Sequence, residues 1–473
     1  MKPIDLSFEW YKKWLFFVFV FAIVLRIFFF FQNYSLWADE ALLALNIIPK
    51  SYSQLLKGLE HLQASPVGFI FSVKLLLNIF NPQNEYFRDL VLRIVPFGVG
   101  VLSLPLFYRL LCLISENLRF RFVAFTVFAL NPLNINYCLQ LKQYSMELFV
   151  TVLLMLIFYN ILFKGIKKNY FSLVLILIPW FSFSAVFILV PYISLYLYKN
   201  FKEAVRFILP LIVSSLFYYV ISFKYVLEST SSAMVDFWNN TYCFLSLEHP
   251  LRFILRLGGI FVDTPSKLIN VIAGLLIFYF FVVFLLKKQE KFWQSKLFYF
   301  APLLLAIIAS LLQKYPFAAR LLLFLLPYFC IYIAILTDKF SKILQKLFIV
   351  LLVITMPAYA KYYSYEREVS DYISKNYNPE YKILVDEYHE FYFYIKDKIH
   401  NPTIISTPIS CQKRDGLEEC KRFFDQDLKS GKYYYVPLIY TPNKMGQKYN
   451  GSVQVLPIKF RKKDSPAVYF EKE

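Results

Sequence analysis

The chain has 473 residues, of which 58% are hydrophobic and 20% aromatic, and its mean hydropathy is +0.50. Soluble domains average roughly 45–50% apolar residues, so a single soluble domain is excluded. The formal net charge of +19 could indicate nucleic-acid binding, but no polar segment carries a basic stripe with interleaved aromatic residues, so this class is excluded as well.

Charged residues divide the chain into two regions. The first 360 residues hold 48 of the 83 acidic and basic residues, and the last 113 hold the other 35. The first region contains apolar stretches of about 17–25 residues, long enough to cross a hydrocarbon core of about 30 Å, and these stretches do not alternate as barrel strands do. We therefore predict an all-α polytopic membrane domain over residues 1–360.

The apolar stretches predict about 11 transmembrane helices. Basic clusters mark cytoplasmic loops, and an even number of spans must separate successive clusters. If segment 65–80 crossed the membrane, the number of spans between two successive basic clusters would be odd. Because this segment is opened by Pro66, is interrupted by Lys74 and is only about 15 residues long, we place it on the membrane surface as a juxtamembrane helix. The predicted spans are 14–31, 91–113, 121–137, 146–163, 170–182, 185–198, 205–226, 268–286, 297–312, 321–336 and 343–360.

An odd number of spans places the amino terminus in the cytoplasm and the carboxy-terminal region outside it. The outer segments are then 32–90, 138–145, 227–267 and 313–320. Residues 361–473 combine strand-like runs with a helical pattern near Tyr363, which predicts a small extracytoplasmic α/β domain. Cys411 and Cys420 lie close together there, and a disulfide and two free thiols both fit this spacing.

Asp39 and Glu40 form an acidic pair directly after the first predicted span. Acidic residues are rare in the first 360 positions, so a pair at a membrane boundary is informative. One interpretation is a favourable interaction with the start of the helix that continues from Ala41. The other is a carboxylate that acts as a general base or binds a cation.

Positive charge also lies on the predicted outer side. Lys142 opposes the positive-inside trend, and both interfacial snorkelling and binding of an anion would explain it. Arg320 and Arg93 lie near the outer ends of two spans. Arginine suits phosphate because its planar fork donates two hydrogen bonds, and a lipid-linked phosphate presents its headgroup at this depth.

Several motifs together resemble the polytopic glycosyltransferases of the GT-C fold, especially the bacterial relatives of protein O-mannosyltransferases and of lipid A aminoarabinose transferases (glycosyltransferase family 39). The resemblance covers about the first 340 residues. The motifs are DEA at Asp39, SPVG at Ser65, LRIVP at Leu92, LKQYSMEL at Leu141, FSFSAVFIL at Phe181 and YPFAARLLLFLLP at Tyr315.

The resemblance implies an enzyme that moves a sugar from a polyprenyl-phosphate donor to a glycan, lipid or protein acceptor on the extracytoplasmic face. It implies Asp39 as the catalytic carboxylate, with Glu40 beside it. The phosphate leaving group needs cations, for which we predict Lys142 and Arg320, with Arg93 as a further candidate. The substrate-binding candidates are completed by Tyr144 and Glu147.

Glu147 is the acid nearest the place where this family often has a second carboxylate, so we assign no metal ligands, and a divalent cation stays a candidate cofactor. Two alternatives remain. A polytopic transporter or flippase of lipid-linked glycans would also have many spans, although 12 glycines offer few hinges. A glycan ligase or polymerase would act on the same face, but the early acidic pair favours transfer of a single sugar.

Overall fold

The computed structural model describes residues 6–166, 169–228, 238, 242, 250–262, 266–286, 293–336, 339–359, 366–385, 388–400, 402–406, 431–436 and 468–472. The chain divides into two compact units. The helical unit consists of Met1–Gln32 and Asn46–Lys361, and the sheet unit of Asn33–Leu45 and Tyr362–Glu473. The segment that carries Asp39, which the sequence groups with the membrane domain, is therefore grouped with the sheet unit. Cys411 and Cys420 lie outside the described residues.

The helical unit is built from apolar helices. Its helices up to the middle of the chain are α1 (Leu6–Gln32), α2 (Ala38–Ile47, which begins in the sheet unit), α3 (Tyr52–Leu56), α4 (Val67–Phe80), α5 (Glu85–Ile114), α6 (Leu118–Ala129), α7 (Pro132–Tyr137), α8 (Tyr144–Lys164), α9 (Asn169–Phe181) and α10 (Val186–Lys199). The remainder are α11 (Phe201–Tyr218) with a π-helical turn (Tyr219–Phe223), α12 (Pro250–Gly259), α13 (Lys267–Leu286), α14 (Trp293–Leu311), a 3₁₀ segment (Ala319–Leu325), α15 (Leu326–Ile335) and α16 (Lys339–Tyr359).

Five helices in the described part of the chain are long and apolar enough to cross a bilayer, and the shorter helices of 10–17 residues include further apolar ones. The chain is thus a multi-pass membrane protein, and the count of 11 spans stays a prediction. The five long helices are Trp10–Gln32, Glu85–Ile114, Tyr144–Lys164, Phe201–Glu228 and Lys267–Leu286. Segment 65–80 forms the 14-residue helix α4, about 21 Å long at 1.5 Å per residue and therefore shorter than the hydrocarbon core.

One predicted span is broken. Residues 121–137 were expected to form a single helix, but α6 ends at Ala129 and α7 begins at Pro132. The break has a local cause: the Asn131 side chain accepts the amide hydrogen of Asn134 at 2.8 Å, and proline at the first helical position cannot continue the preceding helix.

Arg26 occupies the interior of α1 and is fully buried. Its Nη1 donates to the carbonyl oxygens of Ala22 at 3.1 Å and Ala129 at 2.9 Å. Because Ala129 is the last residue of α6, the guanidinium binds the carbonyl end of that helix, where its dipole favours a cation. This contact ties α1 to α6 beside the break.

Close backbone contact joins α12 and α13. A Cβ atom at Gly258 would overlap the carbonyl oxygen of Asn270, and one at Gly274 would overlap that of Ile254. Only glycine lets two helices approach so closely, as at small-residue interfaces between membrane helices. The crossing sets the position of Arg256, which lies on α12.

The sheet unit contains helices α17 (Glu366–Lys375) and α18 (Tyr388–Ile395) and strands β1 (Lys382–Val385), β2 (Ile404–Ser406), β3 (Gly431–Val436) and β4 (Val468–Lys472). The strand order is β2-β1-β3-β4. Strand β1 is parallel to both neighbours, with Ile383 opposite Ile404 and Tyr434, whereas β3 and β4 are antiparallel. Side chains of α17, α18, β1 and β3 form a common core: Val369, Ile373, Ile383, Val385, Phe391, Ile395 and Tyr434.

Candidate active site

The acidic pair lies in the first turn of α2. The amide nitrogens of Glu40 and Ala41 donate to the carbonyl oxygen of Trp37 at 2.8 and 2.9 Å, so Trp37 is the cap that starts the helix. The Glu40 carboxylate in turn accepts the amide hydrogen of Trp37 at 3.3 Å. This is the reciprocal half of a capping box, and Glu40 is 1% exposed.

Asp39 has a different environment from Glu40. It is the second residue of α2 and is half-buried. The favourable interaction with a helix start, one of the two interpretations drawn from the sequence, thus describes the Glu40 side chain. Asp39 is the better candidate for chemistry, because this residue is less buried than Glu40.

Lys142 joins the second outer segment to the first. Its Nζ donates to Oε1 of Gln63 at 2.7 Å, and Nε2 of the neighbouring Gln143 donates to the carbonyl oxygen of Ala64 at 3.2 Å. All of these contacts lie within the helical unit, and Lys142 is only 6% exposed. The lysine therefore holds residues 63–64 against the start of α8.

Glu147 lies in the first turn of α8 and is 4% exposed. Its carboxylate accepts hydrogen bonds from the Ser184 hydroxyl and from the backbone amides of Phe183 and Ser184. These groups immediately precede α10, so the carboxylate lies at the positive end of that helix. Glu147 thereby connects α8 to α10 across 36 residues of chain.

Tyr144 and Tyr315 extend this cluster. The Tyr144 ring packs edge-on against Tyr137, and Tyr315 interacts electrostatically with both Glu147 and Tyr144. The Tyr315 hydroxyl donates to the carbonyl oxygen of Leu321 at 2.8 Å, and its ring contacts Phe187 of α10. The fourth predicted outer segment, 313–320, is therefore held against the second, 138–145.

Arg320, on the same segment as Tyr315, stacks over the Trp238 ring with its Cζ 5.1 Å from the ring centroid. Stacking occupies the face of a guanidinium, whereas its edge carries the hydrogen-bond donors. Nearby in the chain, the carbonyl oxygen of Phe317 accepts a hydrogen bond at 3.2 Å from Nη1 of Arg256. Arg256 was not predicted from the sequence as a site residue. The sequence contains a signal that could have identified Arg256, because Arg252 and Arg256 lie one helical turn apart in PLRFILRLGG.

The structure thus brings together some of the predicted residues. Lys142, Tyr144 and Glu147 share one cluster with the segment that carries Arg320. Arg93 lies eight residues after the start of α5, about 12 Å along its axis, and is buried. Asp39 and Glu40 belong to the sheet unit, so their convergence with the cations stays a prediction. In the described part of the chain, no three His, Cys, Asp or Glu side chains group as a metal site.

Solved structures with a similar fold are glycosyltransferases. The oligosaccharyltransferase of Archaeoglobus fulgidus in complex with zinc and sulfate aligns with 89% of this chain and 68% of its own, at 12% identity and a TM-score of 0.51. The structure of the same archaeal enzyme with an inhibitory peptide and a dolichol-phosphate aligns with 90% of this chain and 70% of its own, at 14% identity and a TM-score of 0.50. The structure of ArnT from Cupriavidus metallidurans aligns with 97% of this chain and 98% of its own, at 11% identity and a TM-score of 0.42.

No protein-family model matches the chain, and no curated protein matches it significantly. The structural likeness is at low identity and therefore concerns the fold. It extends over about nine-tenths of the chain, which is more than the first 340 residues that the sequence motifs cover. The chain has the GT-C fold, as the motifs of its outer segments predict.

Proposed function

We propose that the chain is a membrane glycosyltransferase that moves a sugar from a polyprenyl-phosphate donor to an acceptor on the extracytoplasmic face. One observation carries the proposal: in a chain with the GT-C fold, residues 63–64, the start of α8 with Lys142 and Glu147, and the segment that carries Tyr315 and Arg320 come together from distant parts of the sequence. Support also comes from the archaeal oligosaccharyltransferase, whose structure holds a dolichol-phosphate.

The chemistry assigns a role to each group. Asp39 accepts the proton of the acceptor hydroxyl, whose oxygen attacks the anomeric carbon. The bond between that carbon and the donor phosphate breaks, its electron pair leaves with the phosphate, and the configuration inverts. Arg320 and Lys142 stabilise the charge that develops on the phosphate, with Arg93 as a further cation. No acid is required, because phosphate leaves without a proton.

The other predicted residues have supporting roles. Glu40 stabilises the start of α2 and so holds the backbone of Asp39, while Tyr144 and Glu147 shape the substrate side of the cluster. A divalent cation is a candidate ligand of Asp39, since hard cations prefer carboxylate oxygens. Titrating Mg²⁺ and Mn²⁺ into metal-depleted enzyme, with transfer and donor binding measured separately, tests this.

The experiment that tests the function is a transfer assay in lipid nanodiscs. The full chain is incubated with a panel of radiolabelled polyprenyl-phosphate sugars and with membrane acceptors, and the products are analysed by mass spectrometry. We expect one sugar added per acceptor and release of the polyprenyl phosphate. Transfer of a whole glycan would identify a ligase, and flux of the lipid-linked sugar across vesicles without transfer would identify a transporter.

The proposed orientation places the amino terminus in the cytoplasm and the sheet unit, as an α/β domain, outside it. Labelling of single cysteines at positions 39 and 320 with a membrane-impermeant maleimide tests this arrangement. Both should react from the extracytoplasmic side. Reaction from opposite sides would overturn the proposed function, because base and phosphate ligand must share a compartment.

A further inference from the structure

The chain leaves α1 through a short segment of buried polar groups. Residue 33 is asparagine in a left-handed backbone conformation, with a φ of 42°, which ends the helix. Segment 33–36 then leads to Trp37 and to the acidic pair. Asn33, Ser35 and Leu36 are each 3% exposed or less, so their backbone polar groups need partners within the protein.

Those partners come from α17 and α18, more than 330 residues later. Nη2 of Arg367 donates to the carbonyl oxygen of Asn33 at 2.7 Å. The hydroxyl of Ser35 accepts the amide hydrogen of Arg367 at 3.2 Å and donates to the Glu368 carboxylate at 3.3 Å. Ser35 therefore supplies a cap to the first turn of α17, and all of these contacts lie within the sheet unit.

A third bond secures the last residue of the segment. The amide nitrogen of Leu36 donates to the Tyr394 hydroxyl at 2.7 Å, and both residues are fully buried. The next amide, that of Trp37, is bound by Glu40. The backbone is thus hydrogen-bonded from Asn33 to the first turn of α2, which begins one residue before Asp39.

We infer that the sheet unit positions Asp39: Tyr394 and Arg367 are positioning residues that hold segment 33–36 and thereby set where the proposed base stands. The effect on catalysis rests on the proposed function, whereas the anchoring of segment 33–36 is independent of that function. It gives the carboxy-terminal region a role in the reaction, since α17 and α18 fix the backbone two residues before α2.

The test removes one hydroxyl. Tyr394→Phe keeps the ring in the core and leaves the Leu36 amide without its acceptor. Tyr372→Phe is the matched control, because Tyr372 lies on α17 in the same unit and its hydroxyl makes no hydrogen bond in the part of the chain that the structure describes. Hydrogen exchange of peptides covering residues 33–45 and the kinetics of sugar transfer are measured for both variants in nanodiscs.

We expect faster exchange over residues 33–45 in Tyr394→Phe alone, with exchange of the β1 and β3 peptides unchanged. Small displacements of a reacting group can cost up to about 100-fold in rate, so we expect kcat to fall about 10- to 100-fold while KM for the donor is kept. Arg367→Met should behave in the same way, and Arg367→Lys, which retains a donor for Asn33, should recover part of kcat.

Wild-type exchange over residues 33–45 in Tyr394→Phe, or wild-type kcat, would overturn the inference. So would an equal loss in Tyr372→Phe or a rise of KM without a fall of kcat, since these indicate general destabilisation or altered donor binding. If the wild-type chain transfers no sugar but Tyr394→Phe still loosens the segment, the proposed function fails and the anchoring stands.

Discussion

Glu40 in the sheet unit and Glu147 in the helical unit are both buried carboxylates in the first turn of a helix, but their partners come from different distances along the chain. Glu40 accepts the amide hydrogen of Trp37, three residues earlier. Glu147 accepts two amides and a hydroxyl from residues 183 and 184. One contact begins a helix, and the other joins two helices.

The difference shows how to separate structural from chemical carboxylates in this chain. A buried carboxylate that is bound by amides has its hydrogen-bonding capacity taken up within the protein and therefore has a structural task. Asp39, adjacent to Glu40, is only half-buried. Adjacent acids that are equivalent in the sequence therefore have different tasks, and the predictions for Asp39 and Glu147 test this division.

The largest effect is expected at Asp39. Asp39→Asn keeps the size of the side chain and removes the base, and general-base catalysis contributes about 100- to 10,000-fold, so kcat should fall by that factor. The measurement is sugar transfer in nanodiscs at matched protein content. In Glu40→Gln, which keeps an acceptor for the Trp37 amide, kcat should fall much less than in Asp39→Asn. The reverse order of the two losses would exchange the assigned roles.

Glu147→Ala should cost stability rather than chemistry. It leaves the backbone amides of Phe183 and Ser184 without this acceptor, whereas the Ser184 hydroxyl still has the Ser182 hydroxyl as a partner. Each unsatisfied group costs about 1–3 kcal/mol, so we expect a loss of about 2 kcal/mol or more in the free energy of unfolding. Unfolding in mixed detergent micelles measures it. Glu147→Gln, which retains one carbonyl acceptor, should lose less of the free energy of unfolding. Glu116→Ala, at an exposed position, should be as stable as the wild type. A stable Glu147→Ala would refute the connection between α8 and α10.

Arg320→Gln should weaken donor binding. A charge-assisted hydrogen bond to phosphate is worth about 1.5–3 kcal/mol, which corresponds to at least about a tenfold rise in KM for the donor. Arg252→Gln is the control, because Arg252 is an exposed arginine on α12. If KM rises equally in both variants, Arg320 acts through general surface charge and does not contact the phosphate.

The smallest effect is expected at Glu60, whose own carboxylate is exposed and pairs with Lys50. Nζ of Lys50 lies 3.0 Å from Oε1 of Glu60, and this hydrogen bond lowers the pKa of the Glu60 carboxyl below its usual 4.5. A lowered pKa in the folded state means that the contribution to stability is present above pH 4.5 and disappears as the pH falls through the lowered value.

Because the Glu60 side chain is 70% exposed, solvent and salt screen this contribution, and it should be small. The melting temperatures of the wild type and Glu60→Gln should differ slightly at pH 6 and converge below pH 4.5, and the difference at pH 6 should shrink in high salt. A difference that grows on acidification would have the wrong sign for this ion pair.

Much of the fold was predictable because its signals are local. Apolar length and the proline and asparagine positions predict where helices lie, and the acidic pair after the first span indicates a helix start. The broken span shows the limit: residues 121–137 are mostly apolar, and apolar length outweighed the Asn131–Pro132 signal that ends α6. Weighting that dipeptide would have predicted the break.

The candidate site was less predictable. Lys142, Glu147 and Arg320 were found as charges at span ends, but Arg256, Arg367 and Tyr394 were not, since each acts on a backbone group far away in the chain. Backbone carbonyls and amides are the same at every position, so no residue type marks which of them a distant side chain will bind.

By itself, the amino-acid sequence determined that the chain spans a membrane, where its apolar helices lie and which connecting segments carry charge, because hydrophobic length and residue type are properties of neighbouring residues. Only the tertiary structure decided that Glu40 and Glu147 are bound by amides and that segment 33–36 is held by Arg367 and Tyr394. The reason is burial: a polar group removed from water must find its partner wherever folding places one, and that choice depends on the packing of the whole unit.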